Sequence, residues 1–93
     1  MLTHVVCFKF TNPDVAQEVK ERLLSMEGRV PSLRHIEAGV DVVRSARSYD
    51  VALVTRFDDL AGMEEYQVHP VHQEVAAFIR EHATGIVAVD YEG

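Results

Sequence analysis

The first strand-forming run of this chain is apolar on both of its faces, and that limits the fold more than any other feature. Residues Leu2 to Phe10 read LTHVVCFKF. Side chains alternate along a strand, so Leu2, His4, Val6, Phe8 and Phe10 share one face while Val5 and Cys7 lie on the other. The final run, Ile86 to Tyr91, is apolar on both faces as well. Such strands need cover on two sides, and only 93 residues are available to provide it. A chain of this length forms one domain, residues 1–93, with a small core that gains from oligomerisation.

The intervening segments supply one helical layer. Asn12-Pro13-Asp14 offers a capping side chain, a proline at the first helical position and a carboxylate near the positive helix end. Val15, Val19, Leu23 and Met26 then recur at helical spacing, and Gly28 is placed to cap the C-terminus. Period-two alternation returns from Leu33 to Val42 and again from Tyr49 to Phe57, which predicts two further strands. Asp58 is placed to cap a short helix through Tyr66. His69-Pro70 breaks the chain, and a last helix to about Glu81 carries Val71, Val75, Phe78 and Ile79 inward. Gly85 then releases the chain into the final strand.

This order predicts an α+β fold of the ferredoxin-like split βαβ type, a four-stranded antiparallel sheet with its helices on a single face. The other sheet face would leave an apolar patch in water. A second copy related by a two-fold axis is the simplest cover, giving a homodimer joined through the sheet face.

Composition excludes several partners. Net charge is −6 with nine basic residues scattered singly, so nucleic acid would be repelled overall and would meet no basic stripe. No apolar stretch reaches membrane-spanning length, and the start of the chain lacks the basic flank and cleavage site of a signal peptide. Apolar residues at 47% and charged residues at 26% mark an ordinary globular protein. The lone cysteine, Cys7, cannot form an intrachain disulfide; its apolar surroundings predict a buried thiol of low reactivity, which fits the cytoplasm. Neither a glycine-rich phosphate loop nor a nucleophile elbow is present.

The segments THVVCFKF, SYDVALVTRFDDL, EEYQVHPVHQEVAAFI and VAVDYE resemble the stress-responsive A/B barrel family, also called Dabb proteins, over nearly the whole chain. The most specific pieces are the early His4 and the Tyr66, His69, Pro70, His72 segment. The resemblance implies a dimeric α+β barrel in which two sheets face each other. Some plant members are polyketide cyclases, and in those, residues matching His4, Tyr66 and His72 line a pocket between sheet and helices. There they promote an intramolecular aldol closure without metal or organic cofactor. This chain departs from them at Val51, where the cyclases carry a further histidine.

The resemblance leaves two functional readings. One is a non-catalytic dimer that binds a small hydrophobic ligand near His4, Tyr66, His69 and His72. The other is a cofactor-independent, cyclase-like lyase with His4, Tyr66 and His72 as catalytic residues. In the second, His72 sits in the first helical turn, where the helix dipole favours neutral imidazole and hence a base. Tyr66 donates a hydrogen bond to the enolate oxygen, and His4 orients the same oxygen. The same residues also fit a purely structural role, with His72 packed beneath the sheet and Tyr66 filling the core. A metal shared by His4, His69 and His72 would lack a cysteine or carboxylate clearly placed to help, so no metal is expected. Haem ligation has no support beyond the presence of five histidines.

Overall fold

In a computed structural model that describes residues 1–93, the chain forms a mixed layer structure in the order expected. It runs β1 (Leu2–Phe10), a single 3-10 turn (Pro13–Val15), α1 (Ala16–Leu24), β2 (His35–Val40), β3 (Val51–Phe57), α2 (Leu60–Val68), α3 (Pro70–His82) and β4 (Ala83–Glu92). The four strands form one sheet in the order β2-β3-β1-β4, every neighbouring pair antiparallel. This is the ferredoxin-like α+β arrangement. No helix is long and apolar enough to cross a membrane.

The alternation of β1 divides the protein. Leu2, His4, Val6, Phe8 and Phe10 are all buried beneath the helices, together with Val51, Leu53, Thr55 and Phe57 of β3. Val19, Leu23 and Met26 descend from α1 and the segment after it, Met63 and Tyr66 from α2, and Val75 and Ile79 from α3. On the other face Val5 and Cys7 stand beside Val54 and Ala52, while Val87, Val89 and Tyr91 of β4 extend the row. That face has no helix over it, and Val89 keeps 65% of its surface exposed. The expected open apolar face is therefore present.

Several local expectations are corrected. Asn12 does cap, accepting the Asp14 N–H, but the turn it starts is 3-10 and α1 begins only at Ala16. The helix then stops at Leu24, short of Gly28, because the Met26, Glu27 and Arg29 N–H groups make tight bonds three residues back. Gly28 takes up the left-handed conformation (φ +77°) in the turn that follows. Asp59 rather than Asp58 caps α2, accepting the Gly62 N–H at 2.9 Å, while Asp58 pairs with Arg34. β2 is shorter than its alternation, leaving Val42 at 89% exposure. β4 begins directly at Ala83, so Gly85 lies inside the strand, where an added Cβ would meet the Tyr49 side chain. Cys7 is only half-buried, because its odd position turns it onto the open face.

The connection from β2 to β3 is fastened to β1 through Asp50, a carboxylate with 3% exposure. It accepts the Phe10 N–H at 2.8 Å and an Arg44 guanidinium N–H at 2.8 Å, and the Asp50 N–H donates to the Phe8 carbonyl. Burial alone would raise its pKa; the Phe10 N–H and the Arg44 charge outweigh it and hold the carboxyl below the usual 3.8. Asp50→Ala is expected to cost about 2 kcal/mol in urea unfolding, because it strands a buried N–H. With the folded pKa lowered, the carboxylate's contribution is complete above the unfolded value and disappears as pH falls through the folded one. The Ala variant should accordingly lose part of the wild-type stability decline in acid; equal acid sensitivity in both proteins would contradict this role.

Candidate functional site

α3 does not lie flush on the sheet. Between it and the β1–β4 half of the sheet is a cavity of about 210 Å³, with Leu23 and Met26 at its inner wall. Eleven of its thirteen lining residues are apolar, and the two exceptions are His4 and His72. The polar groups gather at one end. His4 lies near the start of β1, whereas Phe8, four residues on, lines the cavity about 13 Å away by strand geometry.

Tyr66 reaches this polar end from the last turn of α2. Its ring lies between Phe57, at 5.0 Å between centroids, and His72, at 4.4 Å. Only 1% of the residue is exposed, and its hydroxyl has no hydrogen-bond partner in the protein. Burial pushes the phenol above the ordinary value of 10, so it stays protonated and able to donate. A buried hydroxyl without a partner costs about 1–3 kcal/mol, and the surrounding apolar side chains offset that through packing.

His72 comes from the first turn of α3, opened by Pro70. Its Nδ1 lies 3.2 Å from the Gln67 carbonyl, so Nδ1 carries the proton and Nε2 is left with a lone pair. Its pKa is lowered, as expected from its position, but burial is the largest cause; the Gln67 bond opposes it, and His4 and Arg80 push it further down. Neutral imidazole is thus the favoured form at neutral pH.

His4 is 8% exposed on the face where an apolar residue is ordinary. Its Nδ1 bonds the carboxylate of Asp90, the residue directly opposite on β4. Donation from Nδ1 to the carboxylate fixes the ring and leaves Nε2 for the cavity. Asp90 was not apparent among the candidate residues. Its signal lies in alternation: on β4 it shares a face with Ile86 and Ala88, both of which line the cavity, so it ends that apolar row with an acid, Glu92 following opposite Leu2.

His69, expected among the ligand-binding residues, does not line the cavity. Its Nδ1 accepts the Val71 N–H at 3.1 Å and caps α3, a task fixed by its place just before Pro70. Val51 is buried in the sheet and is also absent from the lining. No group of three or more His, Cys, Asp or Glu side chains converges as metal ligands would. His35 pairs with Glu37 on the surface, and the His82 ring packs at a tilt against Phe78.

Comparison with known proteins places this geometry in a family. The family model described as Stress Responsive A/B Barrel Domain matches residues 2–93. An uncharacterised protein of Streptomyces coelicolor is 33% identical, with 99% of each chain covered. Among solved structures, a dimeric protein of unknown function and ferredoxin-like fold from Bacteroides fragilis is 25% identical with a TM-score of 0.89, covering 99% of this chain and 95% of that one. A dimeric ferredoxin-like protein of unknown function from Thermobifida fusca is 28% identical with a TM-score of 0.87, covering 99% and 90%.

The unpartnered hydroxyl gives the site a measurable signature. Tyr66→Phe keeps the ring and removes the buried hydroxyl, so the ligand-free protein should be as stable as wild type or more stable by up to about 1 kcal/mol. A loss of stability on urea unfolding would mean that the hydroxyl is bonded in the folded protein.

Proposed function

The chain belongs to the stress responsive A/B barrel domain family, and from that membership we propose that it acts as a homodimer whose subunits each bind a small, largely apolar molecule in the cavity beneath α3. The observation that carries the binding reading is an apolar cavity of about 210 Å³ with His4, Tyr66 and His72 at one end, Tyr66 carrying a buried hydroxyl with no partner. An apolar cavity with a few convergent polar groups is the common form of a small-molecule site.

The dimer reading is supported by the open sheet face. Val5, Cys7, Ala52, Val54, Val87, Val89 and Tyr91 form one continuous apolar area, bordered on the β2 side by His35, Glu37 and Arg56. An apolar centre with charge at its edge is the make-up of a stable subunit interface. Two solved relatives are described as dimeric. Pairing through this face would also shelter the half-buried Cys7 thiol, and a reducing cytoplasm suits a lone free cysteine.

A second reading, catalysis by proton transfer, is favoured by the free Nε2 of a neutral His72 beside a protonated Tyr66. In an aldol closure, His72 Nε2 removes a proton from the carbon beside a carbonyl while the Tyr66 hydroxyl donates to the resulting enolate oxygen. The enolate carbon then attacks a second carbonyl of the same molecule, and the new alkoxide takes the proton back from His72. His4, held by Asp90 through Nδ1, stands at the same end of the cavity and is placed to orient the second oxygen.

Two measurements test these readings. Wild type should sediment as a dimer at micromolar concentration, and Val89→Asp should yield a folded monomer, because an unpaired charge in an apolar interface costs several kcal/mol. A monomeric wild type would remove the dimer. For catalysis on a dicarbonyl substrate, His72→Gln should lower kcat by roughly 10²–10⁴. The base works unprotonated and its pKa is depressed, so the rate should stay level at neutral pH and fall only in acid, below the ordinary histidine value of 6.5. A rate that falls at neutral pH or above would exclude His72 as the base.

A further inference from the structure

We propose that the occupant of this cavity is an uncharged molecule of one ring, with a hydroxyl and a carbonyl on neighbouring carbons at its polar end. The proposal rests on the binding reading above and adds the size, the charge and the functional groups of the ligand.

Size follows from volume. An apolar cavity of about 150 Å³ holds benzene, so about 210 Å³ leaves space for a substituent of a few atoms. At the packing density of protein interiors, about 0.75, a ligand that fills the cavity has a volume of roughly 160 Å³. Three fused rings exceed that volume and would have to project into water past the exposed Ile86.

Charge follows from what does and does not line the space. No lysine or arginine contributes to the wall. Arg80, exposed on α3, acts on His72 from a distance and does not line the cavity. The one full charge bonded to a lining residue is the Asp90 carboxylate on His4. An anionic ligand would have to leave water, find no cation, and approach that carboxylate in a medium of low dielectric. A neutral ligand meets none of these costs.

The functional groups follow from the hydrogen-bonding inventory. Tyr66 offers an O–H with no partner, which suits a carbonyl oxygen. His72 offers a lone pair on Nε2, its Nδ1–H being held by Gln67, which suits a hydroxyl proton. The two rings are 4.4 Å apart between centroids, so one small headgroup carrying both functions on adjacent carbons can reach both.

Isothermal titration of the full-length protein with four compounds tests this: 2-hydroxy-1-phenylethanone, mandelate, toluene and anthracene-9-carbaldehyde. The hydroxyketone should bind about tenfold more tightly than toluene, through its two hydrogen bonds, and mandelate and the three-ring aldehyde should not bind measurably. Tyr66→Phe should remove most of the hydroxyketone's advantage and leave toluene affinity unchanged. Mandelate binding as tightly as the hydroxyketone would overturn the charge assignment, and anthracene-9-carbaldehyde binding would overturn the size. If toluene and the hydroxyketone bind equally well to wild type, the headgroup assignment fails while the cavity stands. If none of the four binds, the binding reading fails as well.

Discussion

The pairing register of β1 with β4 is the constraint on which the rest depends. It sets His4 opposite Asp90, Val6 opposite Ala88 and Phe8 opposite Ile86, so the site and the cavity floor are laid down in one step. The same register sets Val5 opposite Val89 and Cys7 opposite Val87 on the other face. A slip of one residue would turn Val89 into the cavity and carry Asp90 onto the open face, because side chains alternate with period two. Both the apolar cavity and the open apolar face would be lost together.

β4 is accordingly the element with two roles. It is an edge strand, bonded only to β1, and such edges are the least restrained part of a sheet. In a single copy both of its faces stay accessible, with Ile86 and Val89 each exposed. Covering Val87, Val89 and Tyr91 with a second subunit would steady the strand that carries Asp90, and with it the His4 ring. In the proposed dimer the interface and the site would be two sides of the same backbone, which would connect subunit pairing to the cavity without any movement of a helix.

Much of the fold could be read from the residues. β1 begins and ends where its pattern does, the Val19, Leu23 and Met26 stripe is buried, and the His69-Pro70 break separates α2 from α3. These are local signals, set by alternation, helical spacing and proline. The features that escaped depend on partners far along the chain or on a choice between adjacent residues. Asp90 matters because of a strand neighbour 86 positions away. Asp59 and Asp58 are equally good caps by type, and the backbone at the end of β3 decides between them. His69 shares its segment with Tyr66 and His72, yet the helix start that places His72 toward the cavity commits His69 to the Val71 N–H. Cys7 belongs to an apolar run, but its parity with Val5 and not with His4 turns it outward.

The central claim, that the register delivers Asp90 to the Nδ1 of His4 at the cavity end, can be tested in the imidazoles themselves. A long-range proton–nitrogen NMR spectrum of the labelled protein should show a His4 Nδ1–H proton shifted far downfield and protected from exchange, and that signal should vanish in Asp90→Ala. A His4 ring protonated only on Nε2, with Nδ1 bare and indifferent to the Asp90 substitution, would contradict the register and the site built on it.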